Sequence, residues 1–240
     1  MPFYCIIIHY NVFDEGLFVF GLMWMPACAA LLTKIIIDHS IKGIGWRLCR
    51  IKYLIISYFM PIIACIIVYG FVWITGLGQF KPNMPFKHLI IFSIIGVFIG
   101  SLSAIGEEIG WRGFLLTELR KSFSYPQICL ISGIIWFVYH APLMWFSTYN
   151  NGNILASTVC FFFAVMGMAS IANYMCLNTN SFWPGVILHA SHNLFVQNVF
   201  DPSTINGPFT KYITTEFAIG LALVYCIIAI FLIKKHKKIA

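Results

Sequence analysis

The chain has 240 residues, 60% of them apolar and 10% charged, with a formal net charge of +7. A mean hydropathy of +0.86 and a charged fraction far below the ~25% of soluble domains exclude a soluble globular protein. They predict an all-α fold, a polytopic transmembrane helical bundle. The basic excess does not call for nucleic acid, because membrane proteins collect Lys and Arg in their cytoplasmic loops.

A transmembrane helix needs about 20 apolar residues. Runs of that kind lie at 16–37, 53–76, 88–106, 126–148, 153–176, 182–199 and 215–234, which gives about seven spans in a single transmembrane domain over 1–240. Several hold Pro or Gly, which membrane helices tolerate. No internal repeat, low-complexity tract or linker is evident. The opening Met-Pro-Phe-Tyr-Cys-Ile-Ile-Ile-His has no basic n-region and too short an apolar run for a signal peptide. The eight cysteines are scattered without a CxxC, so they read as small buried hydrophobes.

Orientation follows from Lys and Arg. The stretch from Lys34 to Lys52 carries Lys34, Lys42, Arg47, Arg50 and Lys52 against Asp38 alone, the segment after Gly106 carries Arg112, Arg120 and Lys121, and the tail carries Lys234, Lys235, Lys237 and Lys238. With seven spans these fall on one side, which the positive-inside rule makes cytoplasmic, with the N-terminus outside and the C-terminus inside. The basic tail reads as a stop-transfer anchor in contact with lipid. The third run predicts one helix continuing unbroken from about His88 to Arg120, longer than a bilayer is thick at about 1.5 Å per residue. That places Glu107 inside the membrane.

The apolar pattern breaks at Ala104-Ile105-Gly106-Glu107-Glu108-Ile109-Gly110-Trp111-Arg112-Gly113-Phe114, where two of only eight acidic residues are adjacent. Charge at membrane depth is costly, and such residues face a protein interior or a water-filled cavity. On a helix Glu108 and Arg112 are four apart and can pair. Glu107 is rotated about 100° away and stays available for chemistry. Two further runs carry imidazoles, at Trp136-Phe137-Val138-Tyr139-His140 and Leu188-His189-Ala190-Ser191-His192-Asn193. His189 and Asn193 share a face, which His192 could join. Three costly insertions in three helices are explained together if they meet in one cavity.

Gathered there, Glu107 and His140 can activate a water as a general base. His189 and the Asn193 amide can donate to the oxyanion of a tetrahedral intermediate, so the set describes an acyl-transfer hydrolase with peptide as substrate. The same Glu107, His140 and His189 could instead hold zinc with an open position for water, although no HExxH is present. Spacing leaves both open, so the cofactor is either none or zinc.

At these residues the sequence resembles the CAAX-protease and bacteriocin-processing (CPBP, or Abi) family of intramembrane proteases. That family is marked by E-E-x-x-x-R, an aromatic-x-x-x-H and H-x-x-x-N/D, in that order. Here they stand as Glu107 to Arg112, Trp136 to His140 and His189 to Asn193, within about residues 100–200, with a looser likeness around Gly45-Trp46-Arg47. Trp136 occupies a place where Phe is common, and many members begin with an extra span. The resemblance implies an intramembrane endopeptidase with Glu107 as base and His140 as its partner. It places His189 and Asn193 on the oxyanion side and Glu108 with Arg112 as a supporting ion pair. The family holds prenyl-protein proteases and bacterial members tied to bacteriocin maturation or self-immunity, described both as metalloendopeptidases and as metal-independent glutamate proteases. The implied partners are a peptide or membrane-protein substrate and the lipid bilayer, with no nucleic acid, in a bacterial plasma membrane. Two other readings compete: a non-catalytic bacteriocin-immunity protein that binds a peptide or receptor, and a proton- or metal-coupled carrier. The carrier lacks the inverted repeat and the paired broken helices expected of it.

Overall fold

A computed structural model describes residues 16–236. The signal-peptide reading, Cys5, Lys237 and Lys238 lie outside the described residues. Helices α1 (Gly16–Asp38), α2 (Ile51–Ile74) and α3 (Phe86–Glu108) come first; α3 runs on through a π-helical segment, Ile109–Leu115, into the short α4 (Leu116–Leu119). Then come α5 (Tyr125–Phe146), α6 (Ile154–Thr179) and α7 (Trp183–Asn193), which passes into a second π-helical segment, Leu194–Phe200. A 3-10 turn (Thr210–Tyr212) and α8 (Ile219–His236) finish the described chain. Strands β1 (Gly78–Phe80) and β2 (Thr204–Asn206) form one antiparallel ribbon with Gln79 opposite Ile205.

Among the described residues six helices are long and apolar enough to cross a membrane, one of them the continuous Phe86–Leu119 of 34 residues. The protein is an integral membrane helical bundle. The run read at 182–199 is met by α7 and its π-helical continuation, whose polar insertions keep it out of that set. The unbroken third helix is observed as expected, but its π-helical stretch was not anticipated. Both π-helical segments start directly after site residues, one after Glu108 and the other after Asn193. π-turns occur preferentially at functional sites.

These helices are apolar all round, so hydrophobicity alone does not choose their inward faces. Size and polarity do. On α6 the buried face is Ser157, Ala164, Gly167, Ala169, Ser170, Ala172 and Asn173 among larger residues, whereas Leu155, Val159 and Phe163 point outward. Lipid solvates large apolar side chains as well as protein does, so close backbone approach becomes the attraction between membrane helices. A Cβ on Gly167 would stand 2.7 Å from the backbone carbon of Tyr225, which is how α6 and α8 come together. Along α1 the small residues are on the partner: Gly106 faces Met23 and Trp24, and Gly110 faces Pro26, each leaving room for backbone. Trp24 Nε1 donates to the Leu102 carbonyl at 3.0 Å and fixes the pair. Helix ends are capped where they leave the bundle. Ser124 N–H donates to Gln127 Oε1 at 3.0 Å, Asn153 Oδ1 accepts from the Ala156 N–H at 3.1 Å, and Asn180 closes α6 in the left-handed region at φ 48°.

Core residues form two main clusters. One lies around α6 with Tyr69, Trp136 and Tyr225; the other lies between α1, α3 and α7 with Ala104, Val186 and Phe195. The site lies where they meet. Cys65, Cys129 and Cys176 are buried free thiols, as expected, whereas Cys28 is exposed.

Gly110→Ala is expected to push α1 off α3, because its Cβ would lie 2.5 Å from Pro26 Cβ and 2.9 Å from Pro26 backbone atoms. Overpacking of this kind costs about 1–3 kcal/mol. Gly100→Ala, whose Cβ meets nothing closer than 3.7 Å, should be neutral or stabilising, since Ala favours helix by about 0.5–1 kcal/mol over Gly. Thermal unfolding of both variants in detergent checks the contrast; equal Tm values would contradict it.

Candidate active site

Glu107 and Glu108 end α3 and are 2% and 0% exposed. The helix turns them into different surroundings. Glu107 Oε2 accepts two indole N–H groups, from Trp111 at 3.0 Å and from Trp136 at 2.8 Å. Its other oxygen, Oε1, stands 3.9 Å from His140 Nε2. Glu108 Oε1 accepts from Arg112 Nη1 at 2.8 Å and lies 3.0 Å from His189 Nδ1. The supporting ion pair expected from the spacing is therefore present, and His189 joins it.

Trp136 is the centre of this arrangement. Its N–H goes to Glu107, its ring lies under the Arg112 guanidinium at 4.2 Å, and its edge meets the His189 ring at a centroid distance of 5.4 Å. A stacked guanidinium and a desolvated ring attract by up to about 2 kcal/mol. Trp111, four residues beyond Glu107, and Trp136, four before His140, were not among the candidate site residues. Their signal was one helical turn of spacing from a catalytic candidate, easily lost among 7 Trp and 23 Phe.

His140 Nδ1 is 3.0 Å from the Trp136 carbonyl oxygen, the i−4 position of its own helix. A carbonyl only accepts, so Nδ1 carries the proton and Nε2 presents a lone pair toward Glu107. Two acceptors 3.9 Å apart are too distant for a direct hydrogen bond. Such a gap is suited to one bridging water that donates a hydrogen to each.

Glu107, His140, His189 and Asn193 line one cavity of about 870 Å³, together with Tyr139, Tyr149 and the connections around Asn150, Asp201 and Glu216. All four proposed catalytic positions are thus brought together. His192 is not. It turns toward α8, with Nδ1 2.8 Å from Tyr225 Oη and Nε2 3.5 Å from Glu216 Oε2. Three residues of spacing gave it a neighbouring face, and the tyrosine on α8 captured it. Gln197 Nε2 donates to Glu216 at 3.1 Å. Asp201 accepts from Tyr69 Oη.

The zinc alternative lacks its ligand set. Among the described residues no three His, Cys, Asp or Glu are gathered as a metal-binding group. Glu107 Oε2 is taken by two indoles and His189 Nδ1 by Glu108.

A Cβ on Gly185 would stand 2.5 Å from Glu108 Oε2, so α7 approaches the ion pair through a residue without a side chain. Glu108 Oε2 and Arg112 Nε have no hydrogen-bond partner among the described residues. Single hydrogen bonds therefore hold this buried pair, and removing either partner leaves an uncompensated charge.

Residues 88–195 match the family model of Rce1-like proteins, type II CAAX prenyl endopeptidases. Over 124 residues, half of this chain, the sequence is 30% identical to "CAAX prenyl protease 2" of Methanococcus maripaludis. The match covers 45% of that relative, so it spans less than half of the relative's length. The resemblance read from the three motifs holds over the segment that carries them.

Arg112→Ala is expected to destabilise the protein by about 3–5 kcal/mol, the usual cost of orphaning one member of a buried pair. The double variant Glu108→Gln/Arg112→Met should recover part of that loss. Chemical or thermal unfolding in detergent reads both, and a double variant no better than Arg112→Ala would contradict the pairing. Asp201, in the connection before α8, has its carboxyl pushed up from 3.8 to about 7, chiefly by burial and further by Glu216, against the Tyr69 hydrogen bond. A raised carboxyl pKa contributes stability that is full below the ordinary value of 3.8 and is lost as pH rises through about 7. Wild-type Tm should thus fall as pH rises from about 4 to about 7 and level off above that (the window between the two pKa values), and Asp201→Asn should flatten the profile.

Proposed function

We propose that this protein is an intramembrane endopeptidase of the CPBP type, in which Glu107 and His140 activate a water that hydrolyses a peptide bond. The supporting observation is the pair of facing acceptors, Glu107 Oε1 and His140 Nε2, 3.9 Å apart on the wall of the cavity. A water between them gives one hydrogen to each and turns a lone pair toward the cavity. Attack on a carbonyl carbon passes a proton to Glu107, which later delivers it to the leaving amine. The two indoles keep Oε2 occupied, so Oε1 is the oxygen that exchanges the proton.

His189 is held by Nδ1 on Glu108, as an aspartate orients the histidine of a catalytic triad. Its Nε2, when protonated, and the Asn193 amide one turn later donate to the oxyanion. Arg112 offsets the charge of Glu108, so two neighbouring carboxylates can both remain ionised. We place the protein in a bacterial plasma membrane with its C-terminus cytoplasmic. Its substrate is a peptide or membrane-protein segment. The immunity and carrier readings leave the facing acceptors and the indole clamp without a role.

Glu107→Ala should abolish cleavage of a quenched fluorescent peptide panel while the protein still inserts and folds. His140→Ala should reduce cleavage strongly, and His189→Ala and Asn193→Ala should lower kcat by ~100-fold or more, the cost of removing an oxyanion donor. Activity should survive a strong chelator. A fully active Glu107→Ala enzyme would sink the proposal, and chelator-sensitive cleavage restored by zinc would replace the water-activating pair with a metal.

A further inference from the structure

The cavity that holds Glu107 opens at one end of the bundle. Its outer lining comes from the start of α1, from Asn150 and Asn151 between α5 and α6, and from Gln197, Asn198 and Glu216 around the second π-helical segment and the α8 connection. These lie at the same end, because α1, α3, α6 and α8 start there and α2, α5 and the π-helical continuation of α7 finish there. The β1–β2 ribbon ties two of that end's connections together.

The other end carries the positive charge. Arg47 and Arg50 lie between α1 and α2, Arg120 and Lys121 follow α4, and Lys234 and Lys235 end α8. Its connections are joined across the bundle. Arg47 Nη2 donates to the Thr179 carbonyl at 2.9 Å and Arg120 Nη1 to Asn180 Oδ1 at 2.7 Å. At the cavity end the basic residues are Lys81, Lys87 and Lys211, set against Asp201 and Glu216. Excess Lys and Arg in short connections marks the cytoplasmic side.

We infer that substrate reaches Glu107 from the extracytoplasmic face, as a peptide segment exposed on that side of the membrane. This rests on the hydrolase reading for what is bound, but not for which face is open. The chemistry of the mouth agrees with it. Among the described lining residues there are carboxylates, amides and hydroxyls but no Lys or Arg. A segment ending in a free carboxylate finds no Lys or Arg there, whereas a neutral or basic stretch of chain meets Glu216 at the mouth.

Two single substitutions locate the faces. Asn198→Cys sits at the exposed cavity mouth and Ser122→Cys on the exposed connection at the basic end. Intact spheroplasts and permeabilised ones are treated with a membrane-impermeant maleimide, with the wild-type cysteines as baseline. Asn198→Cys should label in intact spheroplasts to nearly the permeabilised level, and Ser122→Cys only after permeabilisation. The reverse pattern, equal labelling of both, or no external labelling of Asn198→Cys would overturn the inference. In parallel, a membrane-impermeant quenched peptide is offered to right-side-out vesicles, to inverted vesicles and to detergent-solubilised protein, with Glu107→Ala as blank. Cleavage confined to right-side-out vesicles and detergent supports entry from outside; cleavage confined to inverted vesicles and detergent overturns it. Failure to cleave in detergent would count against the hydrolase reading instead, while the labelling still decides the face.

Discussion

Two carboxylates next to each other inside a membrane bundle repel, and each would be expensive to leave ionised alone. The structure answers by dividing them. Glu108 is given a guanidinium and an imidazole; Glu107 is given two indole N–H groups and an open side. Trp136 stands between, donating to one carboxylate and stacking on the cation that pairs with the other. Remove that division and the site loses both its charge and its orientation. The close helix contacts at Gly185 and along α1 serve the same end, because the pair can be held only if α7 and α3 approach at backbone distance.

Charge made the site legible in the sequence. In a chain with so few ionisable residues, Glu107, Glu108, Arg112, His140 and His189 stand out singly, and helical spacing predicts the Glu108–Arg112 pair without any structure. The helical class and most helix positions are equally plain, because bilayer thickness demands long apolar runs. Long-range partners were not legible. An indole reads as lipid belt or core until a carboxylate is found beside it, so Trp136 is marked in the sequence only as the aromatic of its motif and Trp111 only by its spacing from Glu107, and neither shows the hydrogen bond it makes. His192 looked like a companion of His189 because helical spacing says nothing about which neighbour waits on each face. Glu216 carries no mark in the sequence, and only the fold brings it to His192 and Gln197. The π-helical segments were hidden for another reason: one extra residue in a turn leaves composition and hydropathy unchanged.

The same geometry explains why neighbouring residues of one motif do such different work. Glu107 and Glu108 differ by a single step of the helix, yet one meets the cavity and the other meets α7. A helix converts one residue of sequence into a quarter-turn of direction, and the bundle supplies a different environment in each direction. Chemistry and support can then be encoded in one dipeptide.

The indole clamp also has an optical consequence. Trp111 and Trp136 share a single carboxylate oxygen, so they sense the charge on Glu107 through their own N–H groups. The electronic transitions of an indole respond to the field at its nitrogen. Protonating Glu107, or neutralising it by contact with a bound molecule, changes that field on two of the protein's seven tryptophans at once. The emission of the unlabelled protein therefore contains a direct reading of the charge on Glu107, in the membrane and without a bound peptide.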